Sequence, residues 1–248
     1  MFKLLIFLTT LFSASSVVSG NSYGWGYTKN KNNESPYIGI YEEEIDGTNS
    51  FYVGDENEKV VYLTFDAGYD NGNMIKILDT LTEKKVIGNF FITGDFITRF
   101  PELTKEIYDR GNVVGNHTWR HKDITKLSKT ALKNELDKLN SAFYELTGDE
   151  LDPYFRPPAG VFNKESLLAV SECGYNTIFW SVAYKDWIES EEVNINKAVD
   201  QVIENLHNGA IILLHTVSNQ NVKALPEIID KIMFKGYKIK SLNYLFKI

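Results

Sequence analysis

From Lys59 onward, short runs of apolar and β-branched residues alternate with longer stretches in which apolar positions recur every three or four residues. The runs fall at 60–65, 87–92, 112–115, 154–156, 176–182, 210–214 and 237–240, each of strand length. Between them, Met74, Ile77, Leu78 and Leu81 share one face of a helix, as do Leu103, Ile107 and Tyr108. The clearest helix is 128–146, with Leu132, Leu136, Leu139, Phe143 and Leu146 as its stripe and Gly148 as its stop. Strands that are apolar along their whole length are buried on both faces, and their alternation with helices predicts a parallel sheet covered by helices. Seven strand candidates point to an α/β fold, a closed or nearly closed barrel rather than an open doubly wound sheet. No glycine-rich phosphate loop or internal repeat interrupts the pattern.

The first 58 residues stand apart. Residues 1–20 combine Lys3, an apolar core from Leu4 to Phe12 and small residues up to Gly20, which reads as a secretory signal peptide rather than an uncleaved anchor. Its apolar core is too short to span a bilayer, so no transmembrane span is expected after cleavage. Residues 21–58 read as a linker and N-terminal extension packing through Trp25, Tyr37, Ile40 and Tyr41, ahead of one domain at 59–248. The chain has 248 residues, 43% hydrophobic and 24% charged, enough for one large core. A net charge of -7 and the lack of a long basic run argue against nucleic acid as a partner and leave a neutral glycan open. Cys173 is the single cysteine, so no intramolecular disulfide forms, and its place on a short amphipathic helix predicts a buried structural thiol. A monomer is expected.

The strand ends carry the chemistry. Asp66 leads from the first run into a polar loop at Gly68, and α/β enzymes keep catalytic groups at such C-terminal ends, although a strand followed by an Asp-Gly type turn looks alike. His117 and His121 follow the third run. Four residues apart, they can share one face of a helical turn and bind one metal, or be ordinary surface histidines. Arg156 ends the fourth run, ahead of Pro157 and Pro158, which stiffen the loop. The fifth leads through Trp180 to Asp186 and Trp187, an acid beside an aromatic that platforms a sugar or caps a core. His215 ends the sixth, and His207, ahead of Asn208-Gly209, reads as a C-terminal helix partner. Five strand ends presenting Asp, His/His, Arg, Asp and His are far more specific together than singly.

These segments resemble the motifs of the polysaccharide deacetylases, carbohydrate esterase family 4, also called the NodB homology domain. Thr64-Phe65-Asp66-Ala67-Gly68 stands against the family's T-F-D-D-G, and His117 to His121 against H-[ST]-x-x-H. Arg156-Pro157-Pro158-Ala159-Gly160, Asp186-Trp187 and Leu213-Leu214-His215 match the remaining three, in order. The Tyr69-Asp70-Asn71-Gly72 continuation, the R-P-P-x-G form and the ending Leu213 to Ser218 resemble one branch, the δ-lactam-biosynthetic de-N-acetylases of spore-forming bacteria, which act on N-acetylmuramic acid of cortex peptidoglycan.

The resemblance implies a distorted (β/α)7 barrel and an exported hydrolase of acetamide bonds whose partners are peptidoglycan glycan strands at the cell wall. It implies Asp66 as general base, Arg156 as its tether, His215 as general acid and Asp186 as the group that orients it. It implies His117 and His121 as ligands of a divalent metal, Zn²⁺, and substrate contacts at Tyr69, Asn71, Pro158 and Trp187. One position departs. The family's third metal ligand, the second Asp of the first motif, is Ala67 here. Either Asp66, Asp70 or water takes the place of the missing oxygen, or the metal binds weakly, or the reaction runs with less help from a metal; weak binding is the expectation. An N-acetylglucosamine deacetylase and a non-catalytic glycan-binding module are the alternatives. A metal-free glycosidase needs two opposed carboxylates, which an Arg-His-rich site does not offer.

Overall fold

The computed structural model describes residues 21–29, 32–187 and 194–247, so the expected signal segment at 1–20 lies outside the described residues. A curled parallel sheet forms from β1 (Val60–Ala67), β2 (Asn89–Ile92), β3 (Val113–Asn116), β4 (Tyr154–Phe155), β5 (Asn176–Ile178), β6 (Ile211–His215) and β7 (Lys238–Ile239). The helices are α1 (Met74–Lys84), α2 (Gly94–Arg99), α3 (Pro101–Asp109) and α4 (Lys129–Thr147), followed by α5 (Lys164–Glu172), α6 (Ile195–Ile203), α7 (Asn219–Phe234) and α8 (Leu242–Phe246). Hydrogen bonding runs β1-β2-β3-β4-β5, and β6 pairs with β1, while β7 pairs with the first residues of β1. Helix α4 begins and ends where its sequence requires. Ser128 accepts from the Ala131 N–H at one end, and Gly148, at φ 86°, closes the other.

Alternation along the strands sorts side chains onto two faces. Val61, Leu63, Phe65 and Ala67 of β1 lie in the large apolar cluster shared with α1, α6 and α7. Val60 and Tyr62 lie instead in a second cluster with Phe91, Val113, Tyr154, Ile178 and Ile211, closed at one end by Leu242 of α8. This second cluster fills the inside of the curl. Counting on by twos from its members reaches Asp66 on β1, His117 after β3, Arg156 after β4 and His215 on β6, so period two alone delivers the chemistry to the barrel mouth.

The curl closes imperfectly, and the N-terminal extension is the cause. The two-residue strand Ser50–Phe51 lies parallel to β5, and the N–H groups of Thr177 and Phe179 donate to the carbonyls of Asn49 and Phe51. Trp25 stacks on Phe179 with ring centroids 4.2 Å apart. The run expected at 176–182 therefore leaves regular pairing after Ile178 and meets β6 again only through the Val182–Ile212 bridge. The extension packs through Trp25 and Tyr41, which stack on each other, but Tyr37 and Ile40, expected beside them, are 65% and 68% exposed. Cys173 is half-buried rather than buried, and burial still raises its thiol pKa, away from nucleophilic use.

His207 also departs from expectation. It lies past the end of α6, buried, with Nδ1–H donating to the Asn208 carbonyl and Nε2 accepting from the Ser181 hydroxyl at 2.9 Å. It fastens the segment after β5 to the start of β6 rather than a helix end.

Gly115 on β3 faces the inside of the curl, where an added Cβ would meet the Phe91 ring at 2.9 Å and the Tyr154 carbonyl at 2.8 Å. Gly115→Ala is expected to cost about 1–3 kcal/mol through overpacking, read as a lower urea midpoint at unchanged slope. A neutral result would mean that the interior yields at this point.

Candidate active site

Asp66 and His215 are direct neighbours in the parallel register of β1 and β6, which sets their backbones about 4.8 Å apart. Arg156 approaches Asp66 from across the curl. Its Nη1–H donates to Asp66 Oδ1 at 2.8 Å, Nε–H to the Ile178 carbonyl at 3.0 Å and Nη2–H to the Phe179 carbonyl at 3.4 Å. The guanidinium is wholly buried and lies over the rings of Phe91 at 4.2 Å and Trp180 at 5.6 Å. Burial opposes ionisation of Asp66, but its neighbours, the Arg156 guanidinium first, outweigh it, and the carboxyl is held below the usual range. Its Oδ2 remains for substrate or water.

His215 is oriented from below. Its Nδ1–H donates to Asp186 Oδ1 at 2.6 Å, and its backbone N–H donates to Oδ2 at 2.9 Å. Burial pushes the imidazole pKa down, and the hydrogen bond and charge of Asp186 more than reverse this, so the net shift is upward. Nε2 is the atom left to act. Two residues without any signal in the sequence complete the arrangement. The Asn221 side-chain amide donates to Asp186 Oδ2 and to the His215 carbonyl, and its Oδ1 accepts from the Tyr184 hydroxyl. An asparagine in the first turn of a helix carries no signal of such a role, because its partners are fixed only by the fold.

His117 and His121 lie in an irregular loop rather than the helical turn their spacing suggests. Thr118 and His121 have φ of 66° and 51°, a left-handed backbone that costs such residues about 1–2 kcal/mol each. Asn116 supports the loop, its Oδ1 accepting from the Thr118 N–H and its amide donating to the Leu136 carbonyl. The two imidazole rings meet edge to face at 4.8 Å. His117 Nδ1–H donates to the Arg156 carbonyl at 2.8 Å, which leaves the Nε2 lone pair 3.6 Å from Asp66 Oδ2. Burial lowers its pKa to about 4 and lowers that of His121 as well, so both are neutral near pH 7.

Neutral imidazoles suit a metal, but the set is incomplete. Among the described residues no group of three His, Cys, Asp or Glu side chains is placed to hold an ion. Ala67 faces the helices, fully buried, and one Asp66 oxygen is committed to Arg156. Asp70, a candidate replacement ligand, instead accepts from the N–H groups of Gly72, Asn73 and Met74 and caps the start of α1. These residues do not fit a firmly held divalent cation.

The expected substrate contacts are dispersed. Trp187, 55% exposed, meets the His215 ring at 5.7 Å and stands at the centre. Asn71 ties the loop after β1 to the loop after β6 by donating to the Val217 carbonyl, and Tyr69 packs between Phe100 and Arg99 at the rim. Pro158 is buried behind Arg156, in a turn where Ala159 has φ 53°.

The chain is similar to known proteins along most of its length. A family model described as polysaccharide deacetylase matches residues 53–178. The peptidoglycan-N-acetylmuramic acid deacetylase PdaA of Bacillus subtilis is 39% identical over 93% of this chain and 88% of its own. A peptidoglycan-N-acetylglucosamine deacetylase of Bacillus cereus is 31% identical over 77% and 90%. The solved structure of Bacillus subtilis PdaA, described as a family 4 carbohydrate esterase, superposes with a TM-score of 0.87 at 40% identity, covering 91% of this chain and 97% of that one.

Two outcomes follow from the site. Activity should fall as pH rises through the raised pKa of His215, since the acid form is lost there. Asp186→Asn removes the charge that raises it, so the alkaline limb of the pH–rate profile should move to lower pH; an unmoved limb would uncouple the pair. In calorimetric titration with Zn²⁺, Ala67→Asp should bind more tightly than wild type, because the family's T-F-D-D-G motif has its third metal ligand at this position. Equal affinities would show that the position does not decide binding.

Proposed function

This chain belongs to the polysaccharide deacetylase family, carbohydrate esterase family 4, and on that premise we propose that it removes the acetyl group of N-acetylmuramic acid residues in peptidoglycan. The family makes it a hydrolase of amide bonds. The observation that carries the chemistry is the register pairing of Asp66, whose pKa is held down, with His215, whose pKa Asp186 raises. The extent of likeness to the N-acetylmuramic acid deacetylase, along almost the whole of both chains, supports the choice of sugar. The B. cereus relative favours N-acetylglucosamine as the second reading.

Asp66 Oδ2 takes a proton from a water whose oxygen adds to the acetamide carbonyl carbon. Arg156 keeps the carboxylate ionised and pointed, so the proton moves to a fixed atom. Collapse of the tetrahedral adduct breaks the C–N bond, and His215 Nε2 gives the departing nitrogen its proton. Acetate and a free amine leave. Trp187 offers an apolar face beside the reacting bond. His117 and His121 are the imidazoles that a divalent cation such as Zn²⁺ would meet, weakly for want of a third donor, and no step above passes through it. Export through residues 1–20, work at the cell wall and a part in muramic δ-lactam formation of spore cortex belong to the same reading.

Acetate release from peptidoglycan, with muramic and glucosamine products separated by mass, tests it. Asp66→Asn keeps an acceptor for Arg156 but removes the base, and should lower the rate by about 10²–10⁴. Wild-type rates from a folded Asp66→Asn protein would falsify the assignment, and products bearing only free glucosamine would give the second reading.

A further inference from the structure

Beside the catalytic groups lies a cleft of about 590 Å³, lined by neither Trp187 nor His215. Gly68 and His121 line its inner end. Gly68 is two residues past Asp66, and the His121 ring stands 4.8 Å from that of His117, whose Nε2 lies 3.6 Å from Asp66 Oδ2. Trp119 packs so closely on Gly94 that a Cβ there would fall 2.3 Å from the indole, and both residues line the cleft. The ammonium of Lys138 stands 4.2 Å from the Trp119 ring centre.

The lining contains one permanent cation, Arg120. Its backbone N–H donates to one oxygen of Glu135 at 2.7 Å, which fixes the loop, and its Nε makes a long ion pair with the other oxygen at 4.0 Å. The side chain is 61% exposed. The acid on the same lining, Asp95, has Arg99 3.7 Å away to offset it. Arg156 at the centre is wholly buried and committed to Asp66 and two carbonyls.

Muramic acid differs from glucosamine in one group, a lactyl ether on O3 that ends in a carboxylate. O3 is borne by the carbon next to the one carrying the acetamide, so a sugar placed for hydrolysis sets that group within a few bonds of the reacting carbonyl. A protein of net charge -7 repels such an anion unless a cation meets it locally. We propose that Arg120 and the cleft it borders form a carboxylate subsite that receives the O3 substituent and selects muramic acid over glucosamine. This rests on the reading of the centre as an amino-sugar deacetylase. The carboxylate is that of the lactyl group itself, or of a peptide stem attached to it.

The test uses the full protein and three glycan probes: strands with free lactyl groups, the same strands with those groups converted to methylamides, and strands that keep their stems. Acetate release gives kcat and KM, and calorimetry gives Kd. For wild type, free-lactyl strands should exceed methylamide strands about 10- to 100-fold in kcat/KM, as expected of a hydrogen-bonded charge, with the difference in KM rather than kcat. Arg120→Gln should bring that ratio to near one, and Arg120→Lys should keep part of it. The same dependence seen only with stem-bearing strands places the carboxylate in the stem. A wild type that does not distinguish acid from methylamide, or an Arg120→Gln protein that distinguishes them fully, overturns the proposal. Should no strand release acetate, the deacetylase reading fails, and the Kd comparison alone judges the subsite.

Discussion

A guanidinium with no access to water sets the terms for the rest of this molecule. Moving such a charge into the interior costs several kcal/mol unless its donors are all met. Arg156 meets them with the Asp66 carboxylate, the carbonyls of Ile178 and Phe179 and two aromatic faces. Those two carbonyls come from where β5 loses its regular pairing, and the Ser50–Phe51 strand and Trp25 hold that segment in its bent course. The irregularity of the barrel and the burial of the cation are therefore one feature. A straight β5 paired along its length with β6 would spend those carbonyls in the ladder and leave the guanidinium short of acceptors.

The same cation separates the two ends of the proton path. Asp66 and Asp186 are chemically identical groups placed one strand apart. Asp66 faces Arg156 and keeps one oxygen for the reaction. Asp186 accepts from the His215 ring, the His215 backbone and Asn221, and its charge is spent on imidazolium. One group with a lowered pKa beside another with a raised pKa is the pairing that amide hydrolysis needs, because hydroxide addition and amine departure call for opposite proton transfers.

The strand ends were legible because their signal is local. An apolar run that stops at a charged residue, together with period-two alternation from Tyr62 to Asp66 or from Tyr154 to Arg156, contains the outcome within a few residues. The Ser128 and Gly148 boundaries of α4 were legible for the same reason. Asp70 was not, since a carboxylate that caps a helix and one that binds a cation look alike until the neighbouring N–H groups are in place. The left-handed course of Thr118 and His121 was hidden too, because it is imposed by Asn116 and by the Leu136 carbonyl on a distant helix. His207 and Asn221 act on partners 26 and 35 residues away. No window along the chain holds both halves of such a contact.

Charge counting gives the substitution at Ala67 a physical setting. The centre holds Asp66 and Asp186 against Arg156 and a His215 whose pKa is raised, beside His117 and His121, whose pKa values are lowered. A carboxylate at position 67 would make it one charge more negative and would draw a cation toward the imidazoles. With alanine there, a divalent ion entering beside His117 adds two positive charges near a guanidinium and an imidazolium, with no new anion to offset them. It would also lower the pKa of His215 by repulsion and weaken the acid that the amine needs. The residue at position 67 and the His215–Asp186 pair are therefore linked through charge.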